Sequence, residues 1–151
     1  MVVLGDDAIW SHRWAISAEY RNGTRISGYT MQGEGTPMGI FGHEFAHDLG
    51  LPDLYDTDYS SSGIGHWGMM SGGSWLNGGD TPAQLCAWSK IFLGWVEPAL
   101  PLAGEGVYNI SRVEDNASIM KIPIDGIGGR EYFLLENRQN VGYDAYLPGH
   151  G

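Results

Sequence analysis

Apolar and polar positions along the chain change period several times, and each change marks an element. Trp10, His12 and Trp14 occupy alternate positions, the spacing of one face of an extended segment. Arg21-Asn22-Gly23-Thr24 reads as a tight hairpin turn centred on Asn-Gly, and Arg25 to Met31 as the returning strand. A strand there is suited to form the upper rim of a cleft and to pair with an extended peptide. Thr36-Pro37 reads as an N-cap followed by proline in the first turn. The helix it opens runs from Pro37 to Asp48, with Ile40, Phe41 and Phe45 packed against the strand layer. Thr81-Pro82-Ala83-Gln84 has the same start signature. It predicts a second core helix ending near Leu93, with Leu85, Trp88 and Phe92 on one face and Gly94 as its stop. Residues 106–112, 117–124 and 130–136 read as short strands, the last two joined through the Gly126/Gly128-Gly129 loop. This succession of strands, helices and strands predicts an α+β chain.

Composition narrows the functional classes. A length of 151 residues suits one domain with a real core, spanning 1–151. The net charge of −10 argues against nucleic acid as a partner and fits a secreted protein. The 24 glycines and six tryptophans predict a loop-rich chain with bulky aromatic anchors. The single cysteine, Cys86, forms no internal disulfide and reads as buried filler. Met1-Val2-Val3-Leu4 is too short for a signal peptide or a membrane span. The abrupt apolar start and the turn-like Leu147-Pro148-Gly149-His150-Gly151 suggest part of a longer protein, with its export signal and other domains outside this chain.

The chemistry concentrates in His43-Glu44-Phe45-Ala46-His47, followed by Gly50, Pro52 and Asp53. Helical positions four apart share a face, so His43 and His47 can hold one ion, and their imidazoles suit zinc. Glu44, one position on, is placed to take a proton from water held by that ion. Gly50 can end the helix in the left-handed conformation and Pro52 prevents its resumption. The chain then turns back and Asp53 can supply a third ligand. Asp56 is its rival, and Asp53, Asp56 and Asp58 together could hold calcium. Trp67-Gly68-Met69-Met70-Ser71-Gly72-Gly73-Ser74-Trp75 is a glycine-rich turn in which a methionine can pack beneath a metal site. His66 is a candidate to line the cleft; His12 and Glu34 read as a packed ring and a solvated loop carboxylate.

These motifs resemble the metzincin clan of zinc endopeptidases, and within it the immune inhibitor A family of secreted bacterial metallopeptidases. The resemblance rests on His43 to Asp56, Trp67 to Trp75, Ile9-Trp10-Ser11-His12 and Glu131 to Gly149. It implies a zincin-like catalytic domain with His43, His47 and Asp53 on zinc, Glu44 as general base and Met70 as the Met-turn. It also implies secretion, a pro-segment, calcium in many members, a protein or peptide substrate, and a larger whole protein. Two departures stand out. The commonest metzincin third ligand is histidine, where this chain has Asp53. Several metzincins also place a tyrosine where Gly72 stands, leaving Tyr55 and Tyr59 as candidates for oxyanion support. The leading expectation is peptide hydrolysis by metal-activated water without a covalent intermediate. The alternative is a catalytically inactive zinc- and calcium-dependent binding domain.

Overall fold

An antiparallel hairpin opens the computed structural model, which describes residues 9–100, 106–126 and 128–149; the Met1–Leu4 run lies outside them. The hairpin pairs β1 (His12–Arg21) with β2 (Thr24–Met31). Asn22 and Gly23 have φ of 51° and 80°, the left-handed pair that a two-residue hairpin loop requires. A register shift between Ala15 and Glu19 bulges β1. His12 is packed as expected, with Nδ1 2.7 Å from the Trp10 carbonyl and Nε2 3.1 Å from the Tyr29 hydroxyl.

Helix α1 spans Met38–Asp48. Its N-cap is Pro37, not Thr36, and no side chain caps it. The Thr36 hydroxyl instead donates to the Gly33 carbonyl at 2.7 Å and meets the Ser11 hydroxyl at 3.0 Å, so it serves the preceding loop. Asp48 fastens the far end of α1 to the hairpin through Arg13 and Thr30. The helix stops as the sequence predicts. Gly50, at φ 97°, donates to the His47 carbonyl, and Leu51 donates to that of Ala46, the paired bonds of a Schellman end.

The two long faces of α1 differ. Ile40 and Ala46 are buried, whereas Met38, Phe41, Phe45 and Leu49 are exposed. The predicted packing of Phe41 and Phe45 on the strand layer is therefore corrected: Phe41 is 53% and Phe45 52% exposed. At about 100° per residue, Met38, Phe45 and Leu49 lie opposite His43 and His47. A cavity of about 730 Å³ runs along that apolar side, lined in part by Met38, Phe45, Leu49 and Trp95, and contains none of the predicted site residues.

After α1 the chain passes through short 3-10 turns at Gly65–Trp67 and Gly72–Gly79. The second presses against α1 so closely that a Cβ on Gly39 would stand 2.1 Å from the Ser74 carbonyl. Helix α2 is only Ala87–Phe92. The predicted start at Thr81-Pro82 fails because those backbone groups are engaged elsewhere. Ala83 donates to the Gly73 carbonyl and the Gln84 carbonyl accepts from Met69, while Gln84 donates to the Asp144 carboxylate. This extended segment flanks the Met70 turn, and Cys86, only partly buried, becomes the N-cap residue of α2. Gly94 ends α2 as predicted, with the same paired bonds as α1.

β3 (Ile119–Pro123) and β4 (Tyr132–Glu136) form a second antiparallel hairpin. The strand expected at 106–112 is absent; that stretch has only a bridge from Arg112 to Asn137. A 3-10 turn over Gly142–Tyr146 then carries Asp144 fully into the interior. The core packs Ala46, Leu51, Met70 and Leu85 together, with Leu54, Met69, Trp88 and Leu93 against them. The architecture is thus mixed, with helices between two small antiparallel sheets, in keeping with the α+β expectation. No helix among the described residues is long and apolar enough to cross a membrane.

Candidate metal centre and cleft

His43 and His47 project from the same side of α1, their rings 4.8 Å apart and nearly perpendicular. Each ring is oriented by a backbone carbonyl. His43 Nδ1 lies 2.9 Å from the Met69 carbonyl and His47 Nδ1 2.7 Å from that of Leu51. A carbonyl only accepts, so both Nδ1 atoms donate, and in the neutral rings Nε2 keeps its lone pair.

The Schellman end and Pro52 bring the chain back, so that Oδ1 of Asp53 lies 3.1 Å from Nε2 of His43 and 3.3 Å from Nε2 of His47. Neither contact has hydrogen-bond geometry, and Oδ1 is a buried oxygen without a donor among the described residues. With both rings neutral, two nitrogen lone pairs and a carboxylate lone pair converge. A cation satisfies all three at once. Ligand atoms about 2.0–2.1 Å from a tetrahedral cation stand roughly 3.3 Å from one another, close to both measured contacts. His43, His47 and Asp53 are the one such group of three among the described residues, with ligand atoms within 4.8 Å of one another. The residues present fit a bound divalent metal.

Glu44 emerges on the neighbouring side of α1 and lines a cleft of about 450 Å³ together with His43, Tyr55, Asp56, Tyr59, His66 and Ser71. The Glu44 carboxylate makes no hydrogen bond or ion pair with another described residue. The Tyr55 hydroxyl has its pKa pushed up, first by burial and then by the neighbouring Asp53 carboxylate and the other nearby negative charge. Trp10 and Trp75 approach to 6.2 Å between ring centroids and both border the cleft. The Ser71 hydroxyl is buried without a partner among the described residues.

Other sequence expectations are settled differently. Asp56 borders the cleft but does not join the two histidines; its Oδ1 accepts from the Asp58 N–H, and its Oδ2 from the Ser60 hydroxyl and the Ser61 N–H. These bonds hold its pKa well below the usual carboxylate range, the Ser60 hydroxyl contributing most. Among the described residues Asp56 and Asp58 belong to no group of three His, Cys, Asp or Glu ligands. None of Arg25–Met31 lines the cleft; Trp10 is the contributor from that end. Glu34 is exposed and outside the cleft lining, whereas His66 lines it as expected. Met70 is 1% exposed and packs with Ala46 and Leu51 in the core. The orienting carbonyls of Met69 and Leu51 have no sequence signal, because every residue carries that group. The Trp10–Trp75 pair was equally hidden, joining residues far apart in sequence.

Comparison with known proteins identifies relatives of the chain. The chain is 42% identical over 106 residues to Immune inhibitor A of Bacillus thuringiensis subsp. alesti, an alignment covering 59% of this chain and 15% of that protein. It is also 42% identical over 108 residues to the Pre-pro-metalloprotease PrtV of Vibrio cholerae serotype O1 (strain M66-2), covering 60% of this chain and 12% of that protein. The matched region is thus under a sixth of the length of either relative. The family model for the catalytic domain of the immune inhibitor A peptidases, M6, matches residues 2–96. That stretch holds both histidines, Glu44, Asp53 and the Met70 turn, and on it this chain belongs to the M6 immune inhibitor A family of metallopeptidases.

Proposed function

We propose that the protein is a zinc-dependent endopeptidase acting on extracellular proteins or peptides. The observation that carries this reading is the buried Oδ1 of Asp53, without a donor among the described residues, facing two imidazole nitrogens. His43, His47 and Asp53 would hold the metal, and two imidazole nitrogens with one carboxylate are a donor set that suits zinc. When bound, the ion supplies Lewis acidity toward a water molecule and the scissile carbonyl. Glu44 takes the proton from the attacking water onto its carboxylate and passes it to the leaving amine. Tyr55, which lines the cleft with Glu44 and His43, is the candidate for oxyanion support. Met70, buried in one cluster with Ala46, which lies between the two histidines on α1, serves as the floor of the site in the manner of a Met-turn. Action outside the cell fits a relative named a pre-pro-metalloprotease, and the short matched share of both relatives fits further domains in the whole protein.

The Glu44 carboxylate, unpaired among the described residues, favours catalysis over an inactive binding domain, which has no use for a free base in a cleft. Glu44→Gln tests the reading. It should leave zinc stoichiometric and lower the cleavage of casein by about 10²–10⁴-fold. Wild-type turnover in that variant would overturn the mechanism, and a wild-type protein that takes up no zinc would overturn the metal assignment.

A further inference from the structure

We infer that Asp144, together with its partner Arg138, is a positioning residue for the His43 imidazole. This rests on the metal reading above and extends the machinery of the site beyond residue 96, where the family match ends.

The link is a series of hydrogen bonds. Asp144 Oδ1 accepts from the Gln84 N–H at 2.9 Å. The Gln84 carbonyl accepts from the Met69 N–H at 3.3 Å, and the Met69 carbonyl accepts from His43 Nδ1 at 2.9 Å. Gln84 and Met69 are each pinned on both sides, so the position of the carbonyl that orients His43 is set from Asp144. The influence is mechanical, because the N–H and the carbonyl of one residue belong to different peptide groups.

Arg138 grips the other arm of the same turn. Its Nε and Nη2 pair with both oxygens of Asp144, at 2.9 and 2.6 Å, a bidentate arrangement that fixes direction as well as distance. Its Nη1 donates to the carbonyl of Trp67, two residues before Met69. One guanidinium–carboxylate pair therefore holds the Met69 segment from Trp67 on one side and Gln84 on the other. The pair is interior, with Arg138 3% and Asp144 0% exposed. Glu136 and Lys90 complete the charges. Glu136 accepts from Arg138 and from the Ala87 N–H, and Lys90 stands 3.4 Å from its other oxygen. With two cations against two carboxylates, the cluster is balanced without drawing on the metal site.

The test uses the full chain. Asp144→Asn loses the charge, and the double variant Arg138→Met/Asp144→Leu replaces the pair with apolar groups, a change that buried ion pairs often tolerate. Ile122→Ala, at a half-buried β3 position paired with Phe133 and outside this network, is the control, compared at equal loss of melting temperature. Two readouts are taken: zinc affinity by chelator competition, and the exchange protection of the His43 Nδ1 proton by NMR in metal-free protein. Both Asp144 variants should bind zinc at least about 10-fold more weakly, as when a ligand's own hydrogen-bond partner is lost, and should expose the His43 proton, while the control does neither. Unchanged affinity and protection in the Asp144 variants, or equal losses in Ile122→Ala, would overturn the inference. A protein that took up no zinc but lost His43 protection on Asp144 substitution would support it and overturn the metal assignment alone.

Discussion

Oδ1 of Asp53 stands 3.1 Å from Nε2 of His43, and no proton donor among the described residues serves it. Both imidazoles have their Nδ1 protons committed to backbone carbonyls, so with neutral rings the three atoms face one another as lone pairs. Removing the cation should therefore destabilise the fold. At free zinc a thousandfold above the dissociation constant, binding adds about 4 kcal/mol to stability. Chelation should lower the melting temperature, and Asp53→Ala should shrink that chelator-dependent shift. Scanning calorimetry with and without chelator decides; superimposed wild-type traces would contradict the assignment.

The return of the chain to Asp53 depends on Gly50. Its φ of 97° is open to glycine and costly for side chains. A Cβ there would meet only Phe92 at 3.7 Å, so conformation, not space, is the obstacle. Gly50→Ala should cost about 1–2 kcal/mol in stability, read by urea denaturation. It should also weaken zinc binding, because a relaxed turn displaces Asp53 from His43 and His47. A variant as stable as wild type would show that the turn does not need a left-handed residue.

How far the sequence reveals this site follows from the range of the interactions. His43, His47, Gly50 and Asp53 lie within one local motif, so helical periodicity and a glycine stop suffice to bring them together. The Asn22-Gly23 hairpin is legible for the same reason. The start of α2 was misread because Thr81–Gln84 has good local capping chemistry, but its backbone groups bond to Gly73, Met69 and Asp144, and no local pattern reports those partners. Phe41 and Phe45 were misread because an apolar stripe shows that a face resists water without showing what covers it. The Arg138–Asp144 pair was invisible, since its value lies in two carbonyls and an N–H distant in sequence.

Met70 tests the floor of the site. It is almost wholly buried between Ala46, Leu51 and Leu85. Met70→Ala should leave a cavity and cost about 2–5 kcal/mol, whereas Met70→Leu, of similar volume, should cost less than about 1.5 kcal/mol. If packing beneath the histidines matters beyond stability, Met70→Ala should also lose zinc affinity that Met70→Leu retains. Denaturation midpoints and chelator competition measured on both variants separate the two effects. Equal zinc affinity in both would confine Met70 to a stabilising role.

Asp56 gives a pH dependence with a defined sign. Its ionised carboxylate accepts from the Ser60 hydroxyl and from the Asp58 and Ser61 N–H groups, which depress its pKa in the folded loop. A group whose folded pKa is lowered contributes order that is fully present above its unfolded pKa, about 3.9 for Asp. That contribution disappears as the pH falls through this value toward the depressed one. Protection of the Ser61 amide against hydrogen exchange, corrected for intrinsic rates, should therefore be constant from about pH 7 to 5 and decline below about pH 4. Asp56→Asn keeps one acceptor oxygen but cannot ionise, so its protection should be lower and flat across the same range. A decline in Asp56→Asn matching that of wild type would assign the acid sensitivity of this cleft wall to another carboxylate.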